Sequence, residues 1–208
     1  MKYNQLTDVT FSRALKELGD GDPDFTAILN AIGPPPMWAR EPGFPTLIQI
    51  ILEQQVSLAS AKAAFDRLNE AVTVLSPDEF LKLDDVGLKQ IGFSRQKSRY
   101  CRILAEAVRD ASLPLDQLAD MSDDEVSVEL IKITGIGQWT ANIYLLMALK
   151  RPDVWPVGDI ALYAALQKVK RLPSRPDAEK FVELGEQWRP WRAVAARILW
   201  HYYLSGMK

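Results

Sequence analysis

The 208-residue chain contains one cysteine, Cys101, and one histidine, His201. A lone cysteine excludes an intrachain disulfide, and it equally excludes an iron–sulfur cluster held by four thiolates. No grouping of His, Cys and Asp has the spacing of a transition-metal site. Apolar runs of membrane-spanning length are missing, and Met1-Lys2-Tyr3-Asn4 leads into no signal-peptide core. The expectation is a protein with no membrane partner, in a reducing cytoplasm. A surplus of positive charge is missing as well. The formal net charge of −2 argues against a generic polyanion binder. Strand-like alternation is also scarce, which removes the β classes.

What is present is helical periodicity. Apolar residues make up 48% of the chain and charged ones 25%, so a real core is within reach of one globular unit or two fused lobes. The pattern predicts helices over 11–18, 24–32, 46–53, 58–71, 77–83, 86–91, 95–111, 115–121, 123–133, 138–149, 160–169, 177–188 and 190–204. Linkers are expected at Gly19 to Pro23 and at Gly33-Pro34-Pro35-Pro36, where consecutive prolines cannot continue a helix. Charge is unevenly spread. From Lys150 onward eleven basic residues face six acidic ones, leaving that part at +5 and the rest at −7. A local anion-binding face is thereby permitted, one leaning on backbone amides more than on a broad basic surface.

The chain's most informative stretch is 131–161. A helix runs into Gly135-Ile136-Gly137, and an apolar helix follows at once. Two glycines flanking one apolar residue suit a hairpin whose backbone passes close to something that a side chain would block. The amides of the hairpin and those opening the second helix lack intrahelical partners, so they are expected to point outward as a small anion site; an ordinary tight turn is the plainer alternative. Asp159, after Gly158, stands where an N-cap is expected, and its carboxylate beside a positive helix end suits electrostatic work as well. Gln54-Gln55 breaks the chain between two helices, and on its own reads as a solvated junction.

Gly135-Ile136-Gly137-Gln138-Trp139-Thr140 followed by Pro156-Val157-Gly158-Asp159-Ile160 resembles the helix-hairpin-helix and Gly/Pro-Asp signature of the DNA glycosylase superfamily. The likeness is strongest to the alkylation-repair branch typified by bacterial 3-methyladenine DNA glycosylase II. Trp188-Arg189-Pro190-Trp191-Arg192 is similar to that branch's closing segment. The resemblance implies an all-α fold of two helical lobes with a cleft between them. Residues 45–135 would form a central lobe ending in the hairpin, and 1–44 with 136–208 the second. The β-rich domain that larger members carry ahead of Gly33 is not expected.

The same resemblance implies site roles. Gln55 would enter the duplex where the damaged nucleotide leaves. The backbone around Gly135, Ile136, Gly137, Gln138 and Thr140 would hold DNA. Gly92, Ser94 and Lys97 fit a G-x-S-x-x-K pattern, which suggests a phosphate contact at Lys97; a capped surface helix fits as well. Asp159 would be catalytic, its negative charge stabilising a sugar that turns cationic, or its oxygen activating water. Strand-cutting relatives carry a Schiff-base lysine where Trp139 stands, so the expectation is base release without lyase chemistry. Trp139 and Trp200 match pocket positions, with Phe44, Trp38 and Tyr144 as secondary candidates, and core packing is the alternative for the tryptophans. Ile143 and Ile160 stand where that branch carries tyrosines, so the resemblance implies a less aromatic pocket here.

A monovalent Na⁺ or K⁺ at the hairpin would use the carbonyls of Ile131, Ile133 and Ile136, and no cofactor is required. The partner would be double-stranded DNA with damaged bases, bound by a monomer in the cytoplasm, nucleoid-associated if bacterial. The implied function is removal of alkylated purines such as 3-methyladenine and 7-methylguanine. The alternatives are a related glycosylase for deaminated or oxidised bases, or a non-catalytic lesion sensor.

Overall fold

The computed structural model describes residues 5–206. Every regular element among them is helical: α1 Asp8–Gly21, α2 Pro23–Ile32, α3 Phe44–Glu53, α4 Leu58–Ala71, α5 Pro77–Lys82, α6 Asp85–Ile91, α7 Arg95–Arg109, α8 Asp123–Ile131, α9 Gln138–Met147, α10 Ile160–Val169, α11 Ala178–Gly185 and α12 Arg192–Ser205, with 3-10 turns at Leu115–Asp120 and Glu186–Trp188. The chain divides into two compact units. Among the described residues one is Arg40–Tyr144 and the other joins 5–39 to 145–206, the division falling inside α9.

Local chemistry starts these helices. Ser57, Ser76, Asp84, Ser94, Ser122 and Asp177 each accept a first-turn amide with the side-chain oxygen. Each such cap stabilises its helix by about 1 kcal/mol. In the Arg40–Tyr144 unit, α3 is apolar on most faces and buries Leu47, Ile48, Ile50, Ile51 and Leu52 against α4 and α7. Phe44, Phe80 and Phe93 form an aromatic cluster beside it, with centroids 6.1 and 5.8 Å apart.

In the other unit, α12 is the buried centre. Residues Ala193 to Trp200 are all buried, covered by α1, α2 and α10. A helix apolar on every side has no alternative to full burial. Rings of Trp155, Phe181 and Tyr163 stack in series at 4.5 and 4.2 Å. Asp22 is buried, and Lys170 (2.7 Å) and the Trp188 indole (2.9 Å) satisfy its carboxylate.

Most predicted helix ends shift by a few residues, and two departures have a visible cause. The linker predicted at Gly19–Pro23 is helical through Gly21, and only Asp22 separates α1 from α2. Pro23 suits the first position of α2, and Asp22 caps it through the Asp24 amide (3.1 Å), so a longer break is unnecessary. The helix predicted over 177–188 is α-helical only to Gly185. There the Trp155 indole donates to the Phe181 carbonyl (2.9 Å) and lies so close that a Cβ on Gly185 would meet it at 2.6 Å. A side-chain donor at a helical carbonyl tightens or ends the last turn.

Candidate active site

The hairpin begins where α8 ends. A capping box between Ser122 and Glu125 opens that helix (Ser122 N to Glu125 Oε2, 2.8 Å), so its far end delivers the turn at a set position. Ile133 and Ile136 bury their side chains in the unit's core, which anchors the turn. Within it, the Ile133 amide donates to Leu130 (3.1 Å) and the Ile136 amide to Ile133 (3.0 Å). The expectation that the hairpin's amides all point outward therefore fails at Ile136, because the turn uses that donor itself. The Gly137 carbonyl accepts the Ala141 amide (3.1 Å) and so caps α9. Glycine brings no side chain to the first-turn amides of that helix.

The glycines differ in what they avoid. Gly135 has φ +99°, and a Cβ there would lie 2.2 Å from Cγ of Tyr100 on α7. What it passes closely is thus the protein's own tyrosine. Gly137 faces open space, with nothing within 4 Å of a built Cβ. Only the second glycine has no reason inside the fold.

Between α3 and α4, Gln55 is exposed with φ +57°, an unusual backbone for a residue with a side chain. Its neighbour Gln54 donates from Nε2 to the Gly135 carbonyl and to Thr140 Oγ1, both at 3.0 Å. Thr140 is 1% exposed, so its hydroxyl is an internal acceptor of this turn. Lys97 donates from Nζ to the Leu52 carbonyl at 2.6 Å, and burial pulls its ammonium below the usual lysine range.

Asp159 caps α10. It is 8% exposed, and its Oδ1 accepts from the Leu162 amide (2.9 Å) and from the Trp200 indole N–H (3.1 Å). Two donors on one oxygen fix the plane of the carboxylate. Trp38 meets the Trp200 ring edge-on at 6.4 Å and itself has φ +48°. Arg197, fully buried, donates to the carbonyls of Met37 (2.6 Å), Ala193 (2.9 Å) and Leu146 (2.8 Å). The Met37 bond holds the peptide leading into that unusual Trp38 backbone. Burial lowers the guanidinium pKa to about 9, still well above neutrality.

The other named residues fall as follows. Trp139 is half-buried. Phe44 and Tyr144 are core members, the latter accepting the Gly43 amide at 3.0 Å with its phenol pushed up by burial. Ile143 is buried, while Ile160, beside Asp159, is 69% exposed. Sequence reasoning missed Gln54, Tyr100 and Arg197. Only Arg197 leaves a trace, as a charge inside the apolar run Ala193 to Trp200. Among the described residues no His, Cys, Asp or Glu group is arranged for a metal. A monovalent ion on carbonyls is compatible with the turn, since the Ile133 oxygen engaged by Ile136 retains a second lone pair.

Comparison with known proteins adds a lineage. The putative DNA-3-methyladenine glycosylase YfjP of Bacillus subtilis is 28% identical over 162 residues, covering 74% of this chain and 56% of that protein's length. DNA-3-methyladenine glycosylase 1 of Schizosaccharomyces pombe is 30% identical over 168 residues, covering 79% of this chain and 73% of its own. A solved structure of the 3-methyladenine DNA glycosylase Mag1 from Schizosaccharomyces pombe, in complex with abasic DNA, superposes with a TM-score of 0.85 at 27% identity, over 90% of this chain and 95% of that one. The family profile of HhH-GPD superfamily base excision DNA repair proteins matches residues 48–190, and the chain belongs to that superfamily.

Proposed function

We propose that this protein excises alkylated purines from duplex DNA by hydrolysing the N-glycosidic bond, leaving an abasic site. The observation that carries the reading is the Asp159 carboxylate, buried at the head of α10 with Oδ1 pinned by Leu162 and Trp200. Its family position, and relatives named for 3-methyladenine excision, support the same reading.

An alkylated purine such as 3-methyladenine or 7-methylguanine carries positive charge while attached to its sugar. Breaking the bond lets the base leave as a neutral molecule with the electron pair, and the positive charge passes to the sugar. Water then bonds to the anomeric carbon and gives up a proton. The Asp159 carboxylate stabilises the cationic sugar or receives that proton, and both roles need it held in place before reaction. A cationic base is attracted to indole faces, which Trp139 and Trp200 would supply. The target must leave the stack, with Gln55 entering the gap and the backbone at Gly137 and Gln138 gripping phosphate. A monovalent ion at Ile131, Ile133 and Ile136, when bound, would add positive charge at that grip.

The test is incubation with methylated duplex DNA and chromatography of the free bases. Release of 3-methyladenine and 7-methylguanine is expected, and intact DNA after long incubation would remove the proposal. Borohydride added during turnover should trap no protein–DNA adduct, because Trp139 offers no amine. A strong adduct would mean lyase chemistry by another residue. Trp200→Phe keeps an aromatic face but withdraws one donor from Asp159. Single-turnover excision is expected to fall about tenfold, and an unchanged rate would separate the indole N–H from catalysis.

A further inference from the structure

Gln55 sits in a backbone region that costs a non-glycine residue energy, and such a conformation persists only where its surroundings over-determine it. The residues just before it meet that condition. Leu52, Glu53 and Gln54 are each held by a different part of the Arg40–Tyr144 unit. The Leu52 carbonyl accepts Lys97 Nζ from α7 at 2.6 Å. Glu53 takes a two-pronged grip from Arg40 at 3.0 and 2.7 Å, with both side chains mostly buried. The Gln54 amide reaches the hairpin, at the Gly135 carbonyl and Thr140 Oγ1. Helix α7 supports both ends of this arrangement, since Tyr100, one turn beyond Lys97, is the ring against which Gly135 closes.

We propose that Gln54 is a positioning residue, a clasp that ties the turn presenting Gln55 to the hairpin so that wedge and phosphate grip act as one rigid piece. The proposal rests on the glycosylase reading in assigning Gln55 to the duplex. Its physical content is separate. A residue that must push into a base stack works against the stacking energy it displaces. On a turn free to yield, that push moves the turn and leaves the base in place. One amide with two donors, both used at 3.0 Å, locks the turn to the hairpin, the element assigned to the phosphate backbone in that reading. The clasp therefore acts on extrusion and leaves the chemical step alone.

The probe is a duplex with 2-aminopurine next to 7-methylguanine on a 2′-fluorinated sugar, whose electron-withdrawing fluorine blocks bond cleavage. Fluorescence then reports unstacking without excision, and anisotropy of an end label reports total binding. The variant is Gln54→Met, neutral and of similar length but without donors. Its extrusion equilibrium is expected to fall about tenfold, with total affinity changed by less than about threefold. Opposite an abasic site, where extrusion is cheap, the same variant should come within about twofold of the parent. Equal fluorescence for variant and parent on the paired duplex would overturn the clasp. So would an equal defect on both duplexes, the signature of general structural damage.

If Gln54→Met melts far below the parent, Thr140→Val decides, since it removes one acceptor and keeps the shape. A loss of about threefold on paired DNA alone supports the clasp, and no loss sinks it. Base release by the parent on cleavable methylated DNA is measured alongside. A parent that unstacks the probe but frees no base sinks the hydrolytic reading and leaves the clasp standing.

Discussion

With Asp159→Asn, methylated duplex DNA should release its bases about a thousandfold more slowly than with the parent protein, while the fold scarcely changes. The asymmetry follows from the oxygen that both donors share. Asparagine keeps an oxygen for the Leu162 amide and the Trp200 indole, and it caps helices about as well as aspartate does. What it lacks is the negative charge that a cationic sugar needs. The melting temperature should stay within about 3 °C of the parent, and affinity for an abasic-site analogue within about threefold. Asp159→Ala is the contrasting change. It removes the cap and strands a buried indole N–H, so a further stability loss of about 2 kcal/mol is expected, readable by denaturant titration. If Asp159→Asn excised at the parental rate, catalysis would have to be assigned to another residue.

Much of the fold was legible before any coordinates, for a local reason. Ser57 and Ser122 each precede an apolar-periodic segment, and each proves to be the N-cap that starts it. Cap chemistry acts over three residues, so a linear reading finds it. Asp159 as the cap of α10 belongs to the same class. What escaped depends on contacts distant in sequence. Gln54 reaches Gly135 and Thr140 more than eighty positions away, and nothing in Gln54-Gln55 distinguishes the inward amide from the exposed one. The G-x-S-x-x-K pattern at Lys97 likewise carries no sign of the Leu52 carbonyl on α3 that its ammonium reaches. Arg197 shows the limit most clearly. A charge within an apolar helix announces that something must satisfy it, yet the three carbonyls that do so come from 37, 146 and 193. Helical periodicity carries no information about those partners.

The hairpin glycines yield a prediction in which two superficially similar changes part company. Gly135→Ala should destabilise the protein severely, by about 4 kcal/mol, since strain from a φ of +99° adds to a Cβ 2.2 Å from the Tyr100 ring. That corresponds to a melting temperature lower by about 10 °C. Adding Tyr100→Ala removes the collision but not the backbone strain, so the double variant should recover only about half of the loss attributable to Gly135. Gly137→Ala meets neither obstacle, since a Cβ there has nothing within 4 Å. Its stability should lie within about 1 kcal/mol of the parent, the small deficit being alanine's weakness as an N-cap. Affinity for duplex DNA should nonetheless fall more than about tenfold, because the new methyl group would obstruct the proposed phosphate grip at the opening amides of α9. Calorimetry and anisotropy titration on the same samples separate the two effects. A Gly137→Ala protein that binds duplex as tightly as the parent would move the phosphate grip away from this hairpin, whatever its family likeness.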